Sequence, residues 1–278
     1  LRVVYLGTPA DSVPPLEALH AAGHEVALVV TQPDRKRGRG GALVPSPVKV
    51  AAQARGIPVL TPRRAGEVVD EVRATGAAIG VVVAFGQLLP PALLTALPLG
   101  FVNLHFSLLP RWRGAAPVER AILAGDAETG VCVMAVDETL DTGAVYARRA
   151  TPIGPEETAG ELRARLVALG AELLVETLPG VGDARPVPQD GEATYAAKLT
   201  VDEFRLDPQR PAAELARAVR AGNPRPGAWI EVDGSRLKVL RARVEGARFV
   251  PEEVQPAGKR AMPYAAWRAG WRGADPFA

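Results

Sequence analysis

The feature that most limits what this chain can fold into is a repeated change of hydrophobic period across its first hundred residues. Short apolar runs at residues 2–6, 25–30, 58–60, 77–84 and 101–104 alternate with helical stretches, one around Leu16 and Leu19 and others at 48–55 and 65–73. Runs this short and this continuously apolar read as strands buried on both faces. Strands separated by helices lie parallel, with helices covering both sides of the sheet. The expected fold is therefore α/β, a doubly wound and mostly parallel Rossmann-like sheet. Ligands of such sheets sit beyond the C-terminal strand ends. Gly7-Thr8-Pro9 follows the first strand, but it is not a G-x-G-x-x-G, and Pro9 removes an amide where a pyrophosphate needs one. A nicotinamide or flavin site is not expected.

Further strands are expected at 130–136 and 144–149, followed by a long helix over 158–178. Thr158-x-x-Glu161 opens it as a capping box, and Leu162, Leu166, Leu169 and Leu173 recur on one face. A Gly- and Pro-rich loop follows at 179–190. A second domain begins near Pro211 with a short helix at 215–219, broken at Asn223-Pro224. Strands follow at 228–232 and 237–244, joined by a turn at Asp233-Gly234. The division expected is 1–188 as the main domain, 189–206 as a linker and 207–278 as a small β domain. That last segment holds 13 Lys and Arg against 8 Asp and Glu, a net of +5, and the rest of the chain carries a net of −3. A basic tail on a slightly acidic body suits a polyanionic partner. With Cys132 as the only cysteine, an internal disulfide and a cysteine-based zinc site are excluded. No membrane-length apolar run and no signal sequence are read, so a cytoplasmic protein with no membrane partner is expected.

The chemistry concentrates at Phe101 to Pro117. Asn103 and His105 are two apart on a strand, so they share a face. An amide and an imidazole side by side can both donate to a carbonyl oxygen that becomes negative during reaction. Ser107-Leu108-Leu109-Pro110 makes a stiff apolar turn, and Arg111-Trp112-Arg113 sets two cations around an aromatic ring that could stack on a base or on its own domain. A second charged feature is Thr31 to Val44, where Arg35, Lys36, Arg37 and Arg39 crowd together among glycines at a strand exit. Phosphate attraction would use such cations. Asp141, before Thr142-Gly143, reads by itself as a turn former, as does Asp137. Cys132 lies in an apolar strand and reads as a buried thiol. His20 and His24 flank a helix end and read as surface or capping residues.

Asn103-x-His105 with Ser107-Leu108-Leu109-Pro110 closely resembles the signature of the folate-dependent formyltransferases. The continuation Arg111-Trp112-Arg113-Gly114-Ala115-Ala116-Pro117 is similar to the branch of that family that acts on methionyl-tRNA. Phe106, after the histidine, departs from the family pattern. The resemblance implies 10-formyltetrahydrofolate as formyl donor, initiator methionyl-tRNA as acceptor, and no metal. Asp141 matches the family's catalytic aspartate, beside Asn103 and His105. Phe85 and Gly86, in Ala84-Phe85-Gly86, are similar to its pterin-binding loop, and Ser107 to Pro110 are implied in folate binding. Thr31-Gln32-Pro33-Asp34 with Gly38-Arg39-Gly40 matches its tRNA-inserting loop, which assigns Arg35, Lys36, Arg37 and above all Arg39 to tRNA. The second domain resembles the family's OB-like β-barrel, but residues 244–254 are about a hairpin short of it. Either the barrel is cut down or part of the chain lies outside this sequence. The protein is expected to act as a monomer. Two rivals are glycinamide ribonucleotide or an amino-sugar nucleotide as acceptor, and a non-catalytic RNA-binding module.

Overall fold

A computed structural model describes residues 1–37 and 41–277. In chain order, β1 (Arg2–Gly7) leads into α1 (Val13–Ala21) and β2 (Glu25–Val30). A small hairpin of β3 (Arg35–Arg37) and β4 (Ala42–Val44) precedes α2 (Pro47–Gln53) and β5 (Val59–Leu60). Then come α3 (Val69–Ala74), β6 (Ile79–Val83), α4 (Pro91–Leu94) and β7 (Phe101–His105). After β8 (Arg113–Gly114) the chain forms α5 (Pro117–Ala124), β9 (Glu128–Ala135), β10 (Val145–Pro152) and the long α6 (Ala159–Thr177). The remainder is β11 (Tyr195–Ala196), α7 (Ala212–Gly222), β12 (Ala228–Val232), β13 (Ser235–Glu245), β14 (Arg248–Pro256), β15 (Met262–Pro263) and α8 (Tyr264–Ala269).

The chain divides into two compact units. The first comprises Leu1–Arg113, Gly130–Ala150 and Ala164–Thr194. Its centre is a seven-stranded sheet in the order β10-β9-β7-β6-β1-β2-β5. β1, β2, β5, β6 and β7 run parallel, as the strand-helix alternation requires. All five residues of β6 are buried, which explains why its sequence is a continuous apolar run rather than an alternating one. Val4, Leu6, Leu28 and Val30 share one core with Val68, Val72 and Leu93, from the α3 and α4 region. Tyr5 points the other way, and its hydroxyl donates to the Ser12 carbonyl (2.6 Å) at the start of α1. Helices thus cover both faces. Burying each of these aliphatic side chains is worth roughly 1.5–3 kcal/mol.

One strand departs from the parallel pattern, and two expectations need correction here. β9 joins β7 antiparallel, with His105 opposite Cys132 and Val102 opposite Ala135. The helix expected at 65–73 is a 3-10 turn, Ala65–Val68, followed by α3. His24 is buried rather than on the surface.

The second unit comprises Gly114–Thr129, Thr151–Arg163 and Tyr195–Ala278. Its strands β12 to β15 form one antiparallel sheet in the order β12-β13-β14-β15. Asp233 and Gly234 both hold positive φ in the β12–β13 turn, as a two-residue hairpin loop demands. Where the sequence falls short of a full barrel, β13 turns straight into β14 across Gly246-Ala247, with Glu245 opposite Arg248. The sheet is therefore a cut-down meander with β12 and β15 as its edges. α7 lies within this unit beside α5, where the Arg217 guanidinium donates to the Leu123 carbonyl (3.1 Å).

Candidate active site

β7 is the strand that carries the chemistry, and its neighbours explain how it is held. Val82 of β6 and Met134 of β9 flank Asn103 in the ladder, so the residue sits on a strand fixed from both sides. α6 comes so close to β7 that a Cβ on Gly170 would lie 2.9 Å from the Leu104 side chain. By alternation, Asn103 and His105 face away from α6. β1, β2 and β6 end at the same sheet edge as β7, and their exits are tied together. The Phe85 carbonyl accepts from the Thr8 hydroxyl (3.0 Å) and from the Gln32 amide (3.2 Å). The Phe85 ring is in the core rather than in a ligand space, and Gly86 follows at φ +81°.

The loop carrying Asp141 does not leave from that edge, contrary to the expectation for a parallel strand. Because β9 is antiparallel, the loop departs beside the start of β7, where the Val136 amide donates to the Phe101 carbonyl (2.8 Å). It reaches Asn103 and His105 nonetheless. Gly143 lets the loop lie flat on β9, since a Cβ there would collide with the Ala135 carbonyl oxygen. Asp137 stays a turn residue, its Oδ1 accepting from the Thr139 amide and hydroxyl (3.1 Å each) and the Thr142 hydroxyl (2.8 Å). Asp141 holds a left-handed backbone at φ +54°. Its Oδ1 lies 3.5 Å from Asn103 Nδ2, and its Oδ2 lies 3.7 Å from His105 Nδ1. The His105 and Asp141 side chains are only 6% and 11% exposed. Asn103 Nδ2 thus donates to the carboxylate at the long end of hydrogen-bond range, and the three groups converge on one place.

His105 has a defined second partner. Its Nε2 lies 2.9 Å from the Trp112 carbonyl oxygen. A carbonyl only accepts, so Nε2 carries the proton, and a second proton on Nδ1 would face the Asp141 carboxylate. The turn after β7 supports this arrangement. Ser107 is buried and donates to the Arg111 carbonyl (2.6 Å). Leu109 packs with Cys132, Met134 and Val145, which confirms the buried thiol. Leu108 is half-buried and its side chain lies against Gly130, while Pro110 leads to Arg111, whose guanidinium stands 4.6 Å from the Trp112 ring centre.

The cationic stretch forms a separate feature on the hairpin of β3 and β4. Arg35 and Lys36 are exposed there, and Arg35 donates to Gln32 Oε1 (3.2 Å). Arg37 belongs to β3, paired with Ala42. Arg39 lies outside the described residues. Two residues that touch the site's framework carry no mark in the sequence, Gln189 and Thr194. Gln189 Nε2 donates to the Asp141 and Gly143 carbonyls (2.8 Å each), and Thr194 Oγ1 accepts from the Trp112 amide (2.9 Å). Both sit in a stretch with no hydrophobic period, so no local signal could have found them. Among the described residues there is no cluster of three His, Cys, Asp or Glu able to hold a metal, and no helix is long and apolar enough to cross a membrane.

A doubly wound sheet that brings an amide, an imidazole and a carboxylate to one place, with its single thiol buried in the core, is the frame of a group-transfer enzyme. Residues 1–178 match the family described as formyl transferase, and residues 198–251 match the formyl transferase C-terminal domain. The chain belongs to the formyl transferase family. It is 49% identical over 259 residues to a methionyl-tRNA formyltransferase of Roseobacter denitrificans, covering 92% of this chain and 85% of that protein. A methionyl-tRNA formyltransferase of Clavibacter michiganensis is 46% identical over 299 residues, covering 98% and 97%. A crystal structure of an N-formyltransferase from Helicobacter canadensis, with folinic acid and dTDP-3-aminofucose, shares the fold at a TM-score of 0.67. Its sequence identity is 17%, and the match covers 88% of each chain.

Proposed function

We infer that this chain transfers the formyl group of 10-formyltetrahydrofolate to the free α-amino group of methionine esterified to initiator tRNA. The observation that carries the reading is the meeting of Asn103, His105 and Asp141, from two separate segments, in a chain whose relatives near 50% identity are methionyl-tRNA formyltransferases. The amine attacks the formyl carbon, and the carbonyl electron pair moves onto oxygen. Asn103 Nδ2 and the Nδ1–H of protonated His105 donate to that oxygen, while Nε2–H stays on the Trp112 carbonyl. Asp141 holds His105 in register and takes the ammonium proton, directly or through water. Collapse of the tetrahedral species returns the electron pair to the carbonyl and breaks the bond to N10 of the folate, which leaves with a proton. No covalent enzyme intermediate is needed.

Residues 107–110 and, through their backbone, Phe85 and Gly86 are assigned to the folate, and Arg35, Lys36, Arg37 and Arg39 to the tRNA. Residues 1–188 are the catalytic domain, 189–206 the linker and 207–278 the tRNA-binding domain of a cytoplasmic monomer. The deciding experiment offers the enzyme charged initiator tRNA and glycinamide ribonucleotide side by side, with 10-formyltetrahydrofolate as donor. Formyl-methionyl-tRNA is the expected product. Formylation of the ribonucleotide alone would overturn the assignment.

A further inference from the structure

The site's carboxylate and imidazole are both held by one short stretch of chain outside the strands and loops that bear them. Gln189 uses its amide to capacity. Its Nε2 donates to the carbonyls of Asp141 and Gly143 (2.8 Å each). Its Oε1 accepts from Arg113 Nε (3.0 Å) and Nη2 (2.7 Å). Both donors and both lone pairs of a half-buried amide are thereby engaged. Five residues on, Thr194 accepts from the Trp112 amide, and the Trp112 carbonyl accepts from His105. The stretch is anchored by its own backbone as well. Val187 exchanges hydrogen bonds with Val145 (2.8 and 2.9 Å), and the Thr194 carbonyl accepts from the Arg113 amide (2.9 Å).

Asp141 needs such support. Its φ of +54° is a left-handed backbone region uncommon for a residue with a Cβ, though aspartate tolerates it better than most, and the residue lies between β9 and β10 rather than within either strand. We propose that Gln189 is a positioning residue for formyl transfer. Its carboxamide locks the Asp141–Gly143 backbone against Arg113, which sets the Asp141 carboxylate opposite Asn103 and His105. Gln189 touches no reacting atom and acts only through Asp141. The inference rests on the reading of Asp141 as the group that orients His105 and takes the proton.

The test compares Gln189→Glu, Gln189→Ala and Asp141→Ala in steady-state formylation of methionyl-tRNA, with unfolding midpoints measured in parallel. Gln189→Glu keeps the shape and the acceptor toward Arg113, so it folds like the parent. It replaces the donor with a carboxylate oxygen aimed at two carbonyls. Both Gln189 variants are expected to lose roughly 10- to 100-fold in kcat, the scale of a catalytic group displaced by about 1 Å. KM for both substrates should stay within about twofold, since no binding group is removed. A part that is only structural would lower the midpoint and leave kcat of the folded Gln189→Glu enzyme unchanged. Less than a tenfold fall in kcat for Gln189→Glu, beside an inactive Asp141→Ala, overturns the positioning role alone. An active Asp141→Ala enzyme overturns the catalytic reading beneath it.

Discussion

Asn103 donates from inside a sheet. Its backbone is registered against Val82 on one side and Met134 on the other, so its side chain starts from a rigid base. A donor aimed at an oxygen that becomes negative only during reaction contributes little to ground-state binding and much to rate. Asn103→Ala should therefore lower kcat by about 10²- to 10³-fold, leave KM for both substrates nearly unchanged and keep the parent's unfolding midpoint. Steady-state kinetics with a thermal melt checks all three. A change confined to KM would mean that Asn103 binds substrate rather than stabilising the oxyanion. His105 and Asn103 are legible in the sequence because an i, i+2 pair on a strand is a local fact. Asp141 is legible only through the family resemblance, since Asp before Thr-Gly is by itself first of all a turn sequence.

Among the elements, α6 has the best-specified start. The Thr158 amide donates to Glu161 Oε2 (2.9 Å), and the Glu161 amide donates back to Thr158 Oγ1 (3.3 Å), a reciprocal capping box. Hydrogen bonds from the Thr158 backbone, and then from Arg241, hold the Glu161 carboxyl at about 2, against an ordinary value of 4.5. The unfolded chain therefore binds this proton more readily than the folded one. The cap's contribution is complete above about pH 4.5 and is lost as the pH falls from there toward 2. Glu161 is largely open to water, so solvent screening keeps the contribution to about 1 kcal/mol or less. Thr158→Ala should cost about 1 kcal/mol at pH 7. Glu161→Gln should be destabilised at pH 7 and lose part of the parent's decline between about pH 4.5 and 2. Urea midpoints across that range decide it, and an unchanged acid limb in Glu161→Gln would remove the cap from the account.

For the whole molecule, the proposed tRNA contact rests on how charge is distributed. Residues 207–278 carry the +5 excess, and Arg35 and Lys36 stand on the β3–β4 hairpin of the first unit. Neutralising phosphates releases counterions, so binding weakens with salt in proportion to the number of phosphates engaged. KM for methionyl-tRNA should rise steeply with salt, while kcat at saturation stays nearly flat. Replacing Arg35 and Lys36 by Ala should raise KM for tRNA and lower the slope of log KM against log salt by about one for each phosphate no longer neutralised. A slope unchanged in that double variant would take the hairpin out of the tRNA interface.

The sequence alone determined the parallel part of the sheet, the helices on both its faces, the capping box of α6 and the pairing of Asn103 with His105. Each rests on relations between residues a few positions apart, where period and side-chain chemistry decide the outcome. Only the tertiary structure decided that β9 runs antiparallel, that the Asp141 loop reaches the site from the opposite sheet edge, and that β13 turns directly into β14. Gln189 is the clearest case. Its four hydrogen bonds span 46 to 76 residues, and an amide in a Pro-rich loop acquires partners only once distant segments are packed beside it.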